Sequence, residues 1–404
     1  MNILHITTID EGGAYKAVVR MHNALRLAGI ESRILLRNKL YSGHEGKVYL
    51  DNGIKSVLSK CKNLLNMIFS QNEIACERWG SDISKNNLVI QADVIVIHWC
   101  NSFLSFQSIE KLFKSGKKIV FFMHDTWLFT GGCHVNLSCE QYKTGCGKCP
   151  YIKGDKRQDL SYKNFRVKQK LLEPYSVHIA GPSNWIVECA NQSDITKSKD
   201  IVCVPNCING DVFRPANGVK RLKEKYAIPL GKRVVLFGAA FNGTDNINKG
   251  FHYLLQALEY LPREEYFLLI FGNCKEEHVA WKQDYKLLGY IYSEQEMAEI
   301  YNIADVYVTP SLQESFGFTV CEAMSCGTPV VAFSVGGIKE QFIHKKNGYL
   351  AECQNAQDIA NGIVFCADEE NLHKLGVDAV ASAERIHYSN VAEQYKSYFK
   401  SIRG

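Results

Sequence analysis

The sequence contains no hydrophobic run that is long enough to span a bilayer. Its longest apolar stretches, such as 94–97 and 119–123, are far shorter than the roughly 20 residues of a membrane helix. The first residues have no basic segment ahead of an apolar one, which favours a β-strand over a signal peptide. The net charge of +5 does not indicate a nucleic-acid-binding protein, although it is compatible with an anionic ligand. The absence of these features favours a globular protein over a membrane-spanning or nucleic-acid-binding one.

Cysteine, in contrast, is plentiful, at 15 of 404 residues. Most of these cysteines are scattered through apolar segments, as at Cys203 and Cys321, where buried free thiols are expected. Free thiols are typical of proteins in a reducing compartment. We therefore predict a cytoplasmic protein.

The pattern of the chain predicts an α/β protein with two doubly wound, Rossmann-like domains. The length exceeds what one hydrophobic core usually organises. Short β-branched runs alternate with helix-length segments, which is typical of parallel sheets covered on both faces. We expect the ligand site beyond the carboxyl ends of the strands, where the two domains face each other across a cleft. The predicted strands are 3–7, 32–36, 94–98, 118–123 and 178–181 in the first domain, and 233–238, 266–271, 286–290, 306–309 and 329–333 in the second.

A segment rich in proline, asparagine and glycine, 204–215, separates the two series of strands. We predict an N-terminal domain over 1–208, a linker over 209–216 and a C-terminal nucleotide-sugar-binding domain over 217–378. The last residues, 379–404, are expected to form a helix that packs back on the N-terminal domain.

Two glutamates lie eight positions apart around the predicted start of a helix near Gly317. Glu314 precedes this helix, and Glu322 lies more than a turn inside it, where a carboxylate suits the vicinal hydroxyls of a ribose. The common alternative is that Glu314 caps the helix and Glu322 is a solvated surface residue. A helix N-terminus with a small residue also suits a phosphate, which would be received by the backbone amides of Phe316, Gly317 and Phe318.

The segment PSLQESFGFTVCEAMSCGTPVVAFSVGG closely resembles the donor-nucleotide segment of retaining glycosyltransferase family four, whose members have the two-Rossmann B-type fold. The resemblance implies that Glu314 contacts hydroxyls of the transferred sugar and that Glu322 holds the ribose of the donor. Gly12 and Gly13, after the first strand, resemble the family's glycine loop, which faces the diphosphate and the acceptor. His124, in a His-Asp pair, resembles the family's cleft histidine, which contacts the sugar or the acceptor. A plain turn and a packed histidine are the alternatives, but both features follow predicted strands, where site residues belong.

Lys249 resembles the family's phosphate-binding lysine, which stabilises the leaving group. It precedes a predicted helix, where a cation is unfavourable unless an anion intervenes. The family usually has an arginine about two turns upstream, and this chain has neither Arg nor Lys there. Either Asn242 or Thr244 donates hydrogen bonds in its place, or the positive charge comes from elsewhere in the chain. Tyr290 and Ile291 resemble the segment whose backbone reads the nucleotide base, although Tyr290 is equally compatible with a core position.

A loop of four cysteines follows the His-Asp pair, and its last two form a CxxC. In a reducing compartment, four thiols in one loop are typical of a structural tetrahedral zinc site. The irregular first spacing is equally compatible with a packed, thiol-rich loop that forms disulfides on oxidation. The loop resembles an insertion in a subgroup of bacterial capsule and exopolysaccharide glycosyltransferases. The predicted ligands are Cys133, Cys139, Cys146 and Cys149.

The segment 54–69 has apolar residues at helical spacing, with Lys55, Lys60 and Lys62 beside that stripe. A basic amphipathic helix can lie on an anionic membrane surface, and an ordinary core-facing helix is the alternative.

Together these features predict a retaining hexosyltransferase that needs no metal or other cofactor for its chemistry. The donor is a nucleoside diphosphate sugar of UDP or GDP, and the acceptor is a glycan linked to polyprenyl pyrophosphate in bacterial surface polysaccharide biosynthesis. The expected location is the cytoplasm, peripheral on the inner face of the plasma membrane. The alternatives are a nucleotide-sugar epimerase or hydrolase of the same fold, and a catalytically idle nucleotide-binding module.

Overall fold

The computed structural model describes residues 1–41, 43, 45–48, 61, 74, 78–154, 156–239, 243–274 and 281–403. The chain divides into two compact units. The first comprises Met1–Cys207 together with Val391–Gly404, and the second comprises Ile208–Asn390. The predicted linker, 209–216, is therefore counted with the second unit, and the last helix, Tyr388–Arg403, begins in the second unit and continues in the first.

The first unit is built on a parallel sheet in the order β3-β2-β1-β4-β5-β6-β7, as far as the described residues show. Its central strands are mostly apolar and buried, because helices cover both faces of such a sheet. The strands are β1 (Asn2–Thr7), β2 (Glu31–Leu36), β3 (Lys47–Val48), β4 (Val94–Ile97), β5 (Lys118–Phe122), β6 (His178–Gly181) and β7 (Asp200–Cys203). The helices are α1 (Gly12–Leu27), α2 (Asn87–Gln91), α3 (Phe106–Lys114), α4 (Leu160–Leu172) and α5 (Asn184–Asn191).

The second unit has a parallel sheet in the order β10-β9-β8-β11-β12-β13. Its strands are β8 (Arg233–Ala239), β9 (Tyr266–Gly272), β10 (Asp284–Leu287), β11 (Val306–Thr309), β12 (Val330–Phe333) and β13 (Tyr349–Ala351). Its helices are α6 (Val219–Lys225), α7 (Phe251–Leu258), α8 (Glu294–Ile303), α9 (Phe318–Ser325), α10 (Ala356–Ala367) and α11 (Glu369–Ala383), followed by α12 (Tyr388–Arg403).

In each sheet the chain first adds strands toward one edge and then crosses over to add the remaining strands toward the other edge. This reversal of strand order lies between β1 and β4 in the first unit and between β8 and β11 in the second, and we call these four the reversal strands. Loops that leave these strands at their carboxyl ends diverge to opposite faces of the sheet and open a crevice, which is where such folds bind ligands. The loops after β1, β8 and β11 are therefore the places to look for a site.

Two doubly wound parallel sheets are what the pattern of the sequence predicts. The predicted strand 286–290 is placed too late, since β10 ends at Leu287. The predicted loop at Gly12 and Gly13 is wrong in its detail, because these glycines are the first two residues of α1 rather than a loop ahead of it. Strands β3, β7 and β13 were not predicted; each is short and lies at an edge of its sheet.

Candidate active site

Two side chains that were singled out separately in the sequence meet at the crevice of the second sheet. Lys249 follows β8, and its Nζ atom donates to Oε1 of Glu314, which follows β11, at 2.5 Å. The hydroxyl of Ser311 donates to the same oxygen at 3.1 Å. Lys249 and Glu314 keep 29% and 24% of their side-chain surface exposed, so that a ligand can reach both.

The backbone of the two loops holds this pair in place. The carbonyl of Asn248 accepts from the amide of Leu312 at 2.8 Å, and the Asn248 side chain donates to the carbonyl of Gln313 at 2.9 Å. The carbonyl of Glu314 in turn accepts from the amide of Gly337 at 2.8 Å. These bonds on either side of the ion pair fix the distance between the two loops, so the pair is built into the fold.

Helix α9 begins directly after Glu314 and has no side-chain cap. Its N-cap residue, Gly317, has φ 88° and ψ 62°, a left-handed conformation that a residue with a side chain adopts only with strain. The Phe316 side chain is buried against Ile208 and Cys321, so it belongs to the core and only its backbone is available to a ligand. The first amides of α9 have no intrahelical acceptor, which makes the helix start suitable for an anion.

The absence of a side-chain cap is shared by three of the helices that follow the reversal strands, whereas α3, which follows β4, is capped by Ser105. Helices α1, α7 and α9 begin without a side-chain cap and follow β1, β8 and β11. Many other helices of the chain are capped by a side chain, for example α4 by Asp159, α5 by Ser183 and α8 by Ser293. Three of the uncapped helix starts thus lie at the edges of the sheets where a ligand is expected.

Glu322 lies inside α9 and is buried, with 1% of its surface exposed. Its Oε2 atom accepts from the hydroxyl of Tyr301 at 2.9 Å. Burial, and then the charge of Glu322, raises the pKa of Tyr301 well above its usual value, so Tyr301 remains a donor. The alternative that Glu322 is a solvated surface residue is wrong.

In the first unit, His124 lies just beyond the carboxyl end of β5. Its Nε2 atom is 2.8 Å from Nδ1 of His98, which follows β4. The neighbouring Asp125 accepts from Nδ1 of His134 at 2.7 Å and from the amide of Trp127 at 2.8 Å. Burial lowers the pKa of His124 to about 4, so the ring is neutral at neutral pH. Burial also acts to raise the pKa of Asp125, but His134 outweighs it and the pKa lies below the ordinary value.

Gly13 lies in the first turn of α1, after β1. A Cβ atom built on Gly13 meets no heavy atom within 4 Å, so the backbone there is open to an approaching group. This opening is compatible with the predicted contact to a diphosphate or an acceptor. Gly12 is the first residue of the same helix.

The cysteine loop is anchored to the segment that carries His124. The hydroxyls of Thr126 and Thr130 both donate to the carbonyl of Cys133, at 2.9 and 3.1 Å. Burial raises the pKa of Cys146 to about 12, so this thiol is neutral. In the described part of the chain, which includes Cys133, Cys139, Cys146 and Cys149, no three His, Cys, Asp or Glu side chains are arranged so that they could hold a metal ion. Zinc binding by this loop stays a prediction.

The remaining predicted residues are placed as follows. Tyr290 and Ile291 lie in the loop after β10; the ring centroid of Tyr290 is 4.5 Å from that of Tyr292, and Ile291 packs against the apolar core of the second unit. Asn242 and the predicted helix over 54–69 lie outside the described residues, apart from the single residue Cys61. No helix among the described residues is long and apolar enough to cross a membrane.

Four partners of these site residues were missed in the sequence: Ser311, Tyr301, His98 and His134. Ser311 had a signal, since it lies three residues before Glu314 in the same loop. Histidines near the ends of buried strands, such as His98 after β4, are also unusual enough to notice. Tyr301 and His134 had no signal, because each reaches its partner only through the tertiary fold.

Comparison with known proteins finds similarity to glycosyltransferases. Residues 219–378 match the family model "Glycosyl transferases group 1". A D-inositol 3-phosphate glycosyltransferase from Xylanimonas cellulosilytica is 30% identical over 206 residues, which is 47% of this chain and 48% of that protein. An N-acetyl-alpha-D-glucosaminyl L-malate synthase from Bacillus anthracis is 25% identical over 216 residues, 52% of this chain and 55% of that protein. The chain thus spans about half the length of the curated relatives it matches.

The fold as a whole matches a solved structure over its full length. HepE from Anabaena, in complex with UDP-glucose, superposes with a TM-score of 0.70 and 16% identity, covering 99% of this chain and 100% of that one. The predicted B-type fold with two Rossmann-like domains is thereby confirmed. Residues 219–378 are therefore similar to the group 1 glycosyl transferases, on a chain whose fold resembles that of HepE throughout.

Proposed function

We propose that this protein is a retaining hexosyltransferase that moves a sugar from a nucleoside diphosphate donor to a glycan acceptor. The observation that carries the proposal is the contact of Lys249 with Glu314 at the crevice of the second sheet, inside the segment that matches the glycosyl transferase family. A cation and a carboxylate side by side suit a ligand that has a diphosphate next to a sugar rich in hydroxyls.

The leaving diphosphate develops negative charge as the bond to the sugar breaks. Lys249 is proposed to neutralise that charge, and the backbone amides at the start of α9, at Phe316, Gly317 and Phe318, are proposed to receive a phosphate. Glu314 is proposed to accept hydrogen bonds from the sugar and so to orient it. The departing phosphate then takes the proton of the acceptor hydroxyl on the same face, which retains the configuration of the sugar. The catalysis is positioning and charge stabilisation by side chains, without a metal ion.

Glu322 is proposed to hold the ribose of the donor, and Tyr301 to hold Glu322. The hydroxyl of Tyr301 occupies one hydrogen-bonding site of Oε2, and a carboxylate offers several such sites in total. The buried position supports this role, since a charged hydrogen bond is stronger where water is excluded. Tyr290 and Ile291, together with Asn242, are proposed to contact the rest of the nucleotide.

In the first unit, Gly13 and His124 are the proposed contacts to the diphosphate and to the sugar or acceptor. The open backbone at Gly13 and the position of His124 beyond β5 support this assignment. HepE is seen with UDP-glucose, which makes UDP-hexoses the first donors to test, with GDP-hexoses next.

The proposed acceptor is a glycan on polyprenyl pyrophosphate in the making of a bacterial surface polysaccharide. A protein that works on such an acceptor meets it at the inner face of the plasma membrane, so a cytoplasmic protein with peripheral membrane contact is proposed. The names of the curated relatives favour a second class of acceptor: one is an inositol 3-phosphate glycosyltransferase and one an L-malate synthase. A small anionic acceptor is therefore the second candidate.

The experiment tests a panel of sugar donors and acceptors in a single assay for sugar transfer. The protein is incubated with UDP- and GDP-hexoses, each alone and with a polyprenyl-pyrophosphate glycan, inositol 3-phosphate or L-malate. Release of nucleoside diphosphate that requires one of the acceptors, with a product whose anomeric configuration by NMR matches the donor, supports the proposal. Epimerised or hydrolysed donor without any acceptor would identify an epimerase or hydrolase instead, and donor that stays intact in every mixture would favour an idle binding module.

A further inference from the structure

A continuous chain of hydrogen bonds runs from α1 to the end of β5 in the first unit. Nδ1 of His22 is 2.9 Å from Oγ of Ser32, which is 3.1 Å from Nε2 of His5. Nδ1 of His5 is 2.9 Å from Nε2 of His98, and Nδ1 of His98 is 2.8 Å from Nε2 of His124. Each imidazole between the ends uses both of its nitrogens in the chain.

The chain crosses four neighbouring strands of the sheet. Ser32 is on β2, His5 on β1, His98 just after β4 and His124 just after β5, in the same order as the strands in the sheet. His5 is paired in register with Ile34 and Val96, which lie two residues from Ser32 and His98, so these side chains share one face. The histidines and the serine are buried, with 0% to 7% exposure, up to His124, which is partly exposed at the carboxyl edge.

Direct bonds between imidazoles restrict where the protons can be. A neutral imidazole has one N–H donor and one bare nitrogen that accepts. Burial lowers the pKa of His5 to about 3 and of His124 to about 4, and it holds the pKa of His98 well below the usual value, so all three rings are neutral at neutral pH. Each hydrogen bond between two rings then requires that one of the two facing nitrogens carries a proton and that the other is bare. Only two arrangements satisfy both bonds: all three rings carry the proton on Nδ1, or all three carry it on Nε2.

We propose that His5, His98 and His124 change tautomer only together, so that the buried end of the chain at Ser32 and His22 sets whether Nδ1 of His124 donates or accepts a hydrogen bond. His5 and His98 are then positioning residues that act through His124. With the protons on Nδ1, His124 offers a donor, which suits a phosphate or carbonyl oxygen. With the protons on Nε2, it offers an acceptor, which suits a sugar hydroxyl.

The switch between the two arrangements balances in protons. One proton crosses each hydrogen bond in the same direction, and Ser32 receives one and passes one on. The proton that leaves Nδ1 of His124 is matched by one that enters at Nε2 of His22, and the reverse switch returns both. Arg26 lowers and Glu45 raises the pKa of His22, after the larger effect of burial, so these two charges bias the buried end.

The first test reads the tautomers directly in the wild-type protein. Ring ¹⁵N shifts of the ¹⁵N-histidine-labelled protein distinguish Nδ1–H from Nε2–H, and single His→Gln variants assign the signals. The expected result is the same tautomer at His5, His98 and His124. Different tautomers at two of these rings would overturn the proposal.

The second test asks whether a change at the buried end reaches the exposed end. Ser32→Ala removes the hydroxyl that links His5 to His22, and the matched Ser32→Thr keeps it. We expect Ser32→Ala to move the ring shifts of His124, which is three strands and therefore about 14 Å away, and Ser32→Thr to leave them unchanged. A change confined to His5 and His22 would overturn the proposal.

An internal control separates this effect from misfolding. His178 lies on β6 of the same sheet and outside the chain, so its shifts must stay constant in both variants. If the His178 shifts change, the variants are set aside, and the tautomers of His5, His98 and His124 in the wild-type protein decide whether the proposal holds. Neither test uses a sugar donor or a sugar acceptor. Failure of this inference can therefore be distinguished from failure of the proposed sugar transfer.

Discussion

The ammonium of Lys249 lies 2.5 Å from a carboxylate oxygen of Glu314, and the hydroxyl of Ser311 donates to that same oxygen. In the ligand-free chain, the cation assigned to the leaving group thus neutralises the carboxylate assigned to the sugar. Ion pairs with this much exposure are worth about 1 kcal/mol or less, so a donor can separate the two groups at little cost. Under the proposed assignment, the pair keeps both side chains in place until the donor gives each its own partner.

Replacement of Glu314 by Gln should separate turnover from nucleotide binding. The loss of a contact made to the reacting sugar is expected to lower kcat by about 100-fold or more. The affinity for the nucleoside diphosphate should stay within about fivefold, since only a partly exposed ion pair is lost and Lys249 becomes available to the phosphate. Steady-state kinetics and calorimetry on the same preparation measure both. A parallel fall in kcat and affinity would show that Glu314 is a structural or nucleotide contact.

Replacement of Lys249 by Met should weaken binding of a nucleoside diphosphate by about 10- to 100-fold, which corresponds to the loss of one charged hydrogen bond. Binding of the nucleoside alone should not change, because it has no phosphate for the ammonium to contact. Lys225→Met is the matched control, since Lys225 forms an exposed pair with Glu299 elsewhere in the same unit. Equal losses for nucleoside and diphosphate would contradict the assignment.

Gly13 offers a test in which stability and function should move in opposite directions. Alanine at this position has room in the protein and a better helix propensity, so Gly13→Ala should keep or raise the free energy of unfolding, by up to about 1 kcal/mol. If a ligand approaches this backbone closely, the added methyl group should nevertheless lower the rate of transfer. Urea unfolding and the transfer assay measure the two effects. An unchanged rate would mean that no ligand lies against Gly13.

The ribose assignment of Glu322 can be tested with a modified ligand. Glu322→Ala should weaken binding of the nucleoside diphosphate by roughly 1.5–3 kcal/mol for each charged hydrogen bond lost. Tyr301→Phe should weaken it too, since the carboxylate loses the donor that holds it. A 2′,3′-dideoxy nucleotide has no vicinal hydroxyls, so it should bind wild type and both variants alike. The same loss with the dideoxy ligand would show that Glu322 only supports the fold.

The sequence was sufficient to predict the architecture, and it was insufficient to predict the contacts between the candidate site residues. Strands such as β4 and β11 are short apolar runs, which local pattern identifies. The contact of Lys249 with Glu314 depends on bonds such as Asn248 to Leu312, across 64 positions of the chain, and no local pattern reports these.

The burial of individual polar side chains was harder to predict from the sequence than the contacts between the loops. Glu322 has the spacing of a residue that faces a ligand, yet it is buried under the hydroxyl of Tyr301, 21 positions away in the chain. His5 was present in the first predicted strand, but its role depends on the register that brings β1 beside β2 and β4. Parallel strands are joined through long connections, so their register is a property of the folded sheet rather than of either strand.

The claim that the second unit binds the diphosphate of a sugar donor is tested most directly by calorimetric titration of UDP and GDP into the wild-type protein and into Lys249→Met, with a chelator present throughout. The predicted result is saturable binding of UDP or GDP at one site per chain in the wild type, weakened by about 10-fold or more in the variant. Folded wild-type protein that binds neither nucleotide, or a variant that binds as tightly as the wild type, would contradict it.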